Sequence, residues 1–218
     1  AVLDVPVSNI KVVPQEIGGG FGGKIPIYLE PVAALLSRRS GQPVKVIMTR
    51  PSVFESTGPT PGSYVKVKMG ANKDGKITAA DAYIAFESGA YPGGLVGAAA
   101  MCVFSCYDIP DGLIDCYDVV CNKPRSFAYR APGSTQVAFA TEHVVDLLAA
   151  ELGIDPLEFR LNNTATTGTR RIDGVVYPKM GCKEVLEAIR DSDHYKSAAP
   201  SGPNQGRGIS VGYWFKVP

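Results

Sequence analysis

The chain has 218 residues, 45% of them hydrophobic, which is enough apolar material for one folded domain or two small ones and too much for a disordered segment. Lys and Arg number 22 against 21 Asp and Glu, a formal charge of +1, so there is no electrostatic footprint for a polyanion and nucleic acid is not an expected partner. The longest nearly uncharged stretch, Tyr91 to Tyr107, is broken by Pro92, Gly93 and Gly94 and is short for a bilayer span, so no membrane span is expected.

The opening AVLDVPVSNIKVV lacks the basic segment and apolar run of a signal peptide, and it is expected to be an internal stretch of a larger polypeptide. Residues 10–17, IKVVPQEI, alternate apolar and polar and predict a strand, with Pro14 implying an edge or a bend. The glycine run Gly18 to Lys24 follows. From Tyr28 to Ser40 the residues Leu29, Val32, Ala33, Leu35 and Leu36 form one helical stripe, and Gly41 supplies the stop. Residues 43–50, PVKVIMTR, predict a buried strand, which makes the first fifty residues a β-loop-α-β unit.

Two alternating runs joined around Asp74-Gly75 then predict an antiparallel hairpin, which argues against a purely doubly wound sheet. Residues 114–121 predict another strand, and KPRSFAYRAPGSTQ a second loop. A helix is expected from about Ser134 to Leu152, ended by Gly153. Asp155-Pro156-Leu157-Glu158 restarts one with an N-cap, a Pro at the first position and a Glu placed for a capping box. A further helix is expected over Cys182 to Arg190. The fold class is α+β: a β-loop-α-β unit plus hairpin strands packed with helices. Residues 1–196 form its main body, 197–208 are linker-like, and 209–218 start a following segment in which Trp214 is expected to be core.

Five glycines surround Phe21, and the run fits two nucleotide patterns. Gly18, Gly23 and Lys24 satisfy G-x-x-x-x-G-K, but Ile25 stands where a phosphate loop needs the Ser or Thr that ligates Mg²⁺. Gly18, Gly20 and Gly23 satisfy G-x-G-x-x-G, and Arg50 at the end of the second expected strand would permit NADP. Against this, Lys24-Ile25-Pro26 sits where the helix should begin and a hairpin follows where another βαβ unit is required. What remains is a backbone platform that a flat or anionic ligand can approach closely.

The five cysteines lack C-x-x-C pairing and are expected to be free, buried thiols in a reducing cytoplasm. Glu142 and His143 invite an acid-base assignment, but with Asp146 one turn on they are expected on the polar face of an amphipathic helix.

Read together, GGGFGGK at 18–24 and AYRAPGSTQVAFATEHVVDLLAAELGIDPLEFRLNN at 128–163 resemble the molybdopterin-binding large subunit of the xanthine dehydrogenase/aldehyde oxidase family, the molybdenum hydroxylases. The intervening ANKDGKITAADAYIAFESGAY is similar to the family's hairpin, and the resemblance extends over essentially the whole chain. It implies oxidation of an aldehyde or N-heterocycle with water as the oxygen source. It also implies a molybdopterin-type cofactor, in its simple or dinucleotide form, with iron-sulfur clusters and FAD on other subunits or domains. By the same resemblance Gly20, Phe21 and Gly22 in the first loop and Arg130, Ala131 and Gly133 in the second contact the cofactor, and Pro132 lines the substrate.

Purine-oxidising members carry a Glu where this chain has Ile25, so purine oxidation is disfavoured. The family's catalytic glutamate belongs to a segment not found here, so no catalytic residue and no protein metal ligand is assigned to this chain, which is expected to be incomplete and inactive alone. Its implied partners are the remaining large-subunit segments, iron-sulfur and flavin subunits or domains, and a small aldehyde or heterocycle. The alternatives are a non-catalytic domain that retains the family fold and an NADP-binding domain.

Overall fold

A computed structural model describes residues 2–215; residue 1 and residues 216–218, the last of the expected strand-like stretch 209–218, lie outside it. The sequence signal at Asp74-Gly75 organises the centre. β1 (Ser63–Ala71) and β2 (Ile77–Gly89) pair antiparallel, with Val65 opposite Ile84 and Met69 opposite Ala80. Gly75 takes a φ of 75° at the turn, and the Asn72 side chain accepts from the amides of Asp74 and Lys76.

Alternation along β2 sends Ala80, Ala82, Ile84 and Phe86 into the core and Tyr83 out. Ile84 and Phe86 are fully buried, each contributing about 2–3 kcal/mol of apolar transfer. On the outer face Tyr83 stacks with Tyr64 and Tyr117, at centroid distances of 6.0 and 5.0 Å.

β3 (Asp111–Val120) lies on the other side of β2 and runs parallel to it, so the sheet order is β1-β2-β3. A parallel neighbour needs a crossover, and residues 90–110 supply it with a short helix that the sequence did not reveal, here α3 (Val96–Cys102). Two helices of the N-terminal part precede it, α1 (Glu30–Ser40) and α2 (Arg50–Ser56).

α4 (Ser134–Leu152) lies over β1 and α3 and buries Val137, Val145 and Ala149 completely, with Gly153 left-handed at its end. α5 (Pro156–Asn163) is capped by Asp155, whose carboxylate accepts from the amides of Leu157 and Glu158. The end of α5 grips the hairpin turn: Asn163 Nδ2 donates to Gly75 O, and its Oδ1 accepts from the Ile77 amide. α6 (Cys182–Asp191) and the single turn α7 (Asp193–Lys196) complete the helices. The α+β class is therefore observed, as are the hairpin, α4, α5 and α6.

The first fifty residues depart from expectation. Segments 10–17 and 43–49 are not strands, because no described residue hydrogen-bonds alongside them and a strand exists only with a neighbour. Arg50, expected to end the second of them, begins α2, whose cap is Thr49 with Pro51 in the first turn. α1 forms where expected, but Val32, Leu35 and Leu36 on its stripe stay exposed, and no residue from 2 to 60 is buried. Trp214 stacks on Phe215 at 4.4 Å but is exposed rather than core.

Candidate functional site

The second loop is tied down from several directions. The Ser126 amide donates to Ser88 O and its hydroxyl to Glu87 O, fixing the loop to the end of β2. The Phe127 amide donates to Pro59 O across the sheet end. Gly58 lies so close to Phe127 that a Cβ there would stand 2.3 Å from its ring. Tyr28, just before α1, accepts from the Gly58 amide at 3.0 Å and sets its ring edge-on to Phe127.

This frame brings the second loop against the glycine loop. The Arg130 amide donates to Phe21 O at 2.7 Å, and Gly22 approaches Ala128 so closely that a Cβ would lie 2.9 Å from its carbonyl oxygen. The Arg130 guanidinium stands 5.9 Å from the Phe21 ring centroid, and both side chains are exposed.

Left-handed backbone is concentrated at this junction: φ is 50° at Phe21, 94° at Gly22, 26° at Arg130, 55° at Ala131 and 89° at Gly133. Three of these residues carry a Cβ, and such conformations persist only where the surroundings over-determine them, a feature that clusters at ligand clamps and active sites. The strain is held by named contacts. The Gly133 amide donates to Gln136 Oε1 at 3.0 Å, Gln136 Nε2 donates to Thr60, and the Ser134 amide donates to Ala131 O. A Cβ on Gly133 would meet the Ala99 nitrogen at 2.7 Å, so α3 packs directly under the loop.

All six residues expected from the resemblance to contact a cofactor thus lie on two adjoining loops, and Pro132 sits half-buried between Ala131 and Gly133. In the glycine loop Gly23 donates back to Gly20 O, while among the described residues the amides of Gly19, Gly20, Phe21 and Gly22 have no protein acceptor. These open amides and the exposed guanidinium are donors only, a set suited to a ligand that presents anionic oxygens. No group of three or more His, Cys, Asp or Glu is placed to hold a metal ion among the described residues. The loop is not a helix N-terminus, because residues 21–29 form turns and α1 begins only at Glu30.

Glu142 is not on a solvated face. It is buried, accepts from Tyr107 OH at 2.5 Å, from Arg160 Nε at 2.9 Å and from the Val211 amide at 2.8 Å, and pairs with the fully buried Arg160. Asp146 pairs with the same guanidinium at 2.8 Å, whereas His143 is exposed. Together with the Ser134 hydroxyl, which donates to Tyr213 O, Glu142 lays residues 211–213 along α4 toward its loop-bearing end. Gln136 and Glu142 are the supporting residues that sequence reasoning missed. A Gln three residues into α4 was a visible capping signal, whereas the Glu142 partners are all distant in sequence.

The thiols are mixed. Cys102 and Cys106 are buried, but Cys116, Cys121 and Cys182 are only half-buried, against the expectation that all five would be interior. Among the described residues no helix is long and apolar enough to cross a membrane.

Comparison with known proteins gives this geometry a family. Residues 1–164 match the model of the molybdopterin cofactor-binding domain. The xanthine dehydrogenase molybdenum-binding subunit of Escherichia coli O157:H7 is 32% identical over 96% of this chain and 29% of its own length. The molybdenum-binding subunit of the aldehyde oxidoreductase of Escherichia coli K12 is 37% identical over 74% of this chain and 22% of its own. The chain thus spans about a quarter of the length of these relatives.

Among solved structures, the aldehyde oxidoreductase from Desulfovibrio gigas superposes with a TM-score of 0.74 at 28% identity, over 80% of this chain and 20% of that one. The quinoline 2-oxidoreductase from Pseudomonas putida 86 does so with a TM-score of 0.76 at 25% identity, over 81% and 24%. The chain belongs to the molybdopterin cofactor-binding domain of the xanthine dehydrogenase/aldehyde oxidase family of molybdenum hydroxylases.

Proposed function

We propose that this chain supplies two adjoining cofactor-contact loops to a molybdenum hydroxylase that oxidises an aldehyde or an N-heterocycle. The observation that carries the reading is the junction itself: two loops about a hundred residues apart, joined through Arg130 N and Phe21 O, with strained backbone and open donors facing outward. In this reading the amides of Gly20, Phe21 and Gly22 hold anionic oxygens of a molybdopterin-type cofactor. Ala131 and Gly133 let the second loop approach closely, and Pro132 faces the substrate. When bound, the cofactor supplies the two-electron redox centre.

The Arg130 guanidinium is a fixed cation that stabilises negative charge developing on oxygen during the reaction. The catalytic base lies on further large-subunit segments, and iron-sulfur and flavin groups on other subunits or domains carry the electrons away. The relatives named for aldehydes and quinoline suit a site without a purine-directed carboxylate at Ile25. An NADP-binding domain is disfavoured because the loop amides do not begin a helix and the paired strands that such a fold requires are not formed.

The test is Arg130→Ala in the assembled enzyme. Turnover should fall on the order of 10²-fold, as for loss of one preorganised donor, while molybdenum content and fold stay near normal. Unchanged turnover would reject the role of Arg130, and an assembled protein free of molybdenum would support a non-catalytic domain instead.

A further inference from the structure

A second group of nucleophiles lies away from the two loops. Cys106 is buried in the turn after α3, and Cys182 is the first residue of α6. The end of α5 joins them: the Ala165 amide and the Thr164 hydroxyl donate to Cys106 O at 2.8 and 3.3 Å, and the Thr164 hydroxyl also hydrogen-bonds the Cys182 thiol. The two thiols hydrogen-bond each other. Cys182 is half-buried, so one side of the pair meets solvent.

We propose that Cys182 and Cys106 form a peroxide-responsive thiol pair, with Cys182 the attacking thiolate and Cys106 the resolving thiol. The electrostatics agree with this order. The hydrogen bond with Cys106 draws the Cys182 thiol below its ordinary value, against the effect of burial, and Thr164 adds to the pull. The same hydrogen bond and burial push Cys106 up, so the pair carries one thiolate and it sits on Cys182. The first-turn amides of α6 favour negative charge at that position.

The chemistry balances with a hydroperoxide as oxidant. The Cys182 thiolate attacks one peroxide oxygen, the O–O bond breaks, and the departing hydroxide takes a proton to become water. Cys106 then attacks the sulfenic sulfur of Cys182, the S–S bond forms, and the S–O bond breaks. The second hydroxide takes the Cys106 proton. Two thiols have lost two electrons and one peroxide has become two waters. The product ties α6 to the turn that carries Tyr107, the hydrogen-bond partner of Glu142.

The experiment is peptide mapping of the intact protein after limiting hydrogen peroxide, together with the rate of iodoacetamide alkylation at each thiol. Cys182 should alkylate about fivefold faster near neutral pH than Cys121, the half-buried thiol after β3. Peroxide should link the Cys106 and Cys182 peptides, reversibly by a dithiol. In Cys106→Ser, Cys182 should be captured by dimedone as a sulfenic acid. Cys182 reacting no faster than Cys121, or a wild-type protein with no such link, would overturn the proposal without reliance on a variant.

Discussion

The most exacting prediction concerns Arg160. Its side chain is fully buried and makes two contacts of 2.9 Å with Glu142, one of 2.8 Å with Asp146 and one of 3.0 Å with Pro156 O. Arg160→Met keeps much of the volume, so the cavity contribution is small, but it leaves the Glu142 carboxylate buried without its countercharge. Breaking one side of a buried pair costs about 3–5 kcal/mol. The Asp146 pair, half exposed, adds little.

For a chain of this size that loss should lower the thermal midpoint on the order of 10 °C. Thermal and urea unfolding followed by circular dichroism measure it, with Lys123→Ala as control, since Lys123 and Glu87 form an exposed pair. The control should leave the midpoint within error. Arg160→Met/Glu142→Leu should recover part of the loss, because no buried charge then remains. An Arg160→Met shift no larger than that of the control would refute the reasoning.

Gly22→Ala places a Cβ 2.9 Å from the Ala128 carbonyl oxygen at a φ of 94°, a strain of about 1–3 kcal/mol at the loop junction. Because residues 2–60 contribute no buried side chain, global unfolding should change little while molybdenum bound per protein falls; full metal content with wild-type turnover would contradict the placement. Two carboxylates predict an acid limb. Asp173 is held below its ordinary 3.8 chiefly by the hydrogen bond from Arg171. At Asp155 burial pushes upward, but hydrogen bonds from the Tyr195 hydroxyl and the Glu158 and Leu157 amides lower it on balance. Both bind protons less readily when folded, so their stabilisation is present above about pH 4 and lost as pH falls through their folded values. Asp173→Asn should therefore be less stable than wild type at neutral pH by an offset that shrinks below pH 4, read from urea midpoints; an offset independent of pH would contradict it.

The legible parts of the fold are those whose signals are local. Asp74-Gly75 sets a turn, Asp155-Pro156 starts a helix, and Gly41 and Gly153 end two others. Each works through backbone conformation within a few residues. Segments 10–17 and 43–49 carry an equally clean apolar pattern, but a strand also needs a partner, and alternation says only that one face wants covering. The parallel pairing of β2 with β3 was hidden for the same reason, as was α3, which Leu95 enters from a left-handed φ of 66° after a Pro-Gly-Gly break. Glu142 was misplaced because a charged residue on a helix usually faces water; Arg160, the residue that makes its burial tolerable, lies 18 positions away on the next helix.

The candidate site shows how the two kinds of information combine. The glycine pattern at 18–24 specified a permissive backbone but not its ligand, and two nucleotide readings shared it. What separates the readings is where the open amides point. In a phosphate loop or dinucleotide fold they cap the helix that follows, whereas here turns intervene before Glu30 and the loop meets Arg130 instead. That meeting requires Phe21, Arg130 and Ala131 to hold conformations they disfavour, and the contacts of Gln136, Ala99 and Ala128 are what hold them. A junction with no ligand to serve would relax at little loss, since the glycine loop buries no side chain of its own. Its retention of strain is therefore most economically explained by what binds against it, so relieving the strain should cost cofactor retention before it costs stability.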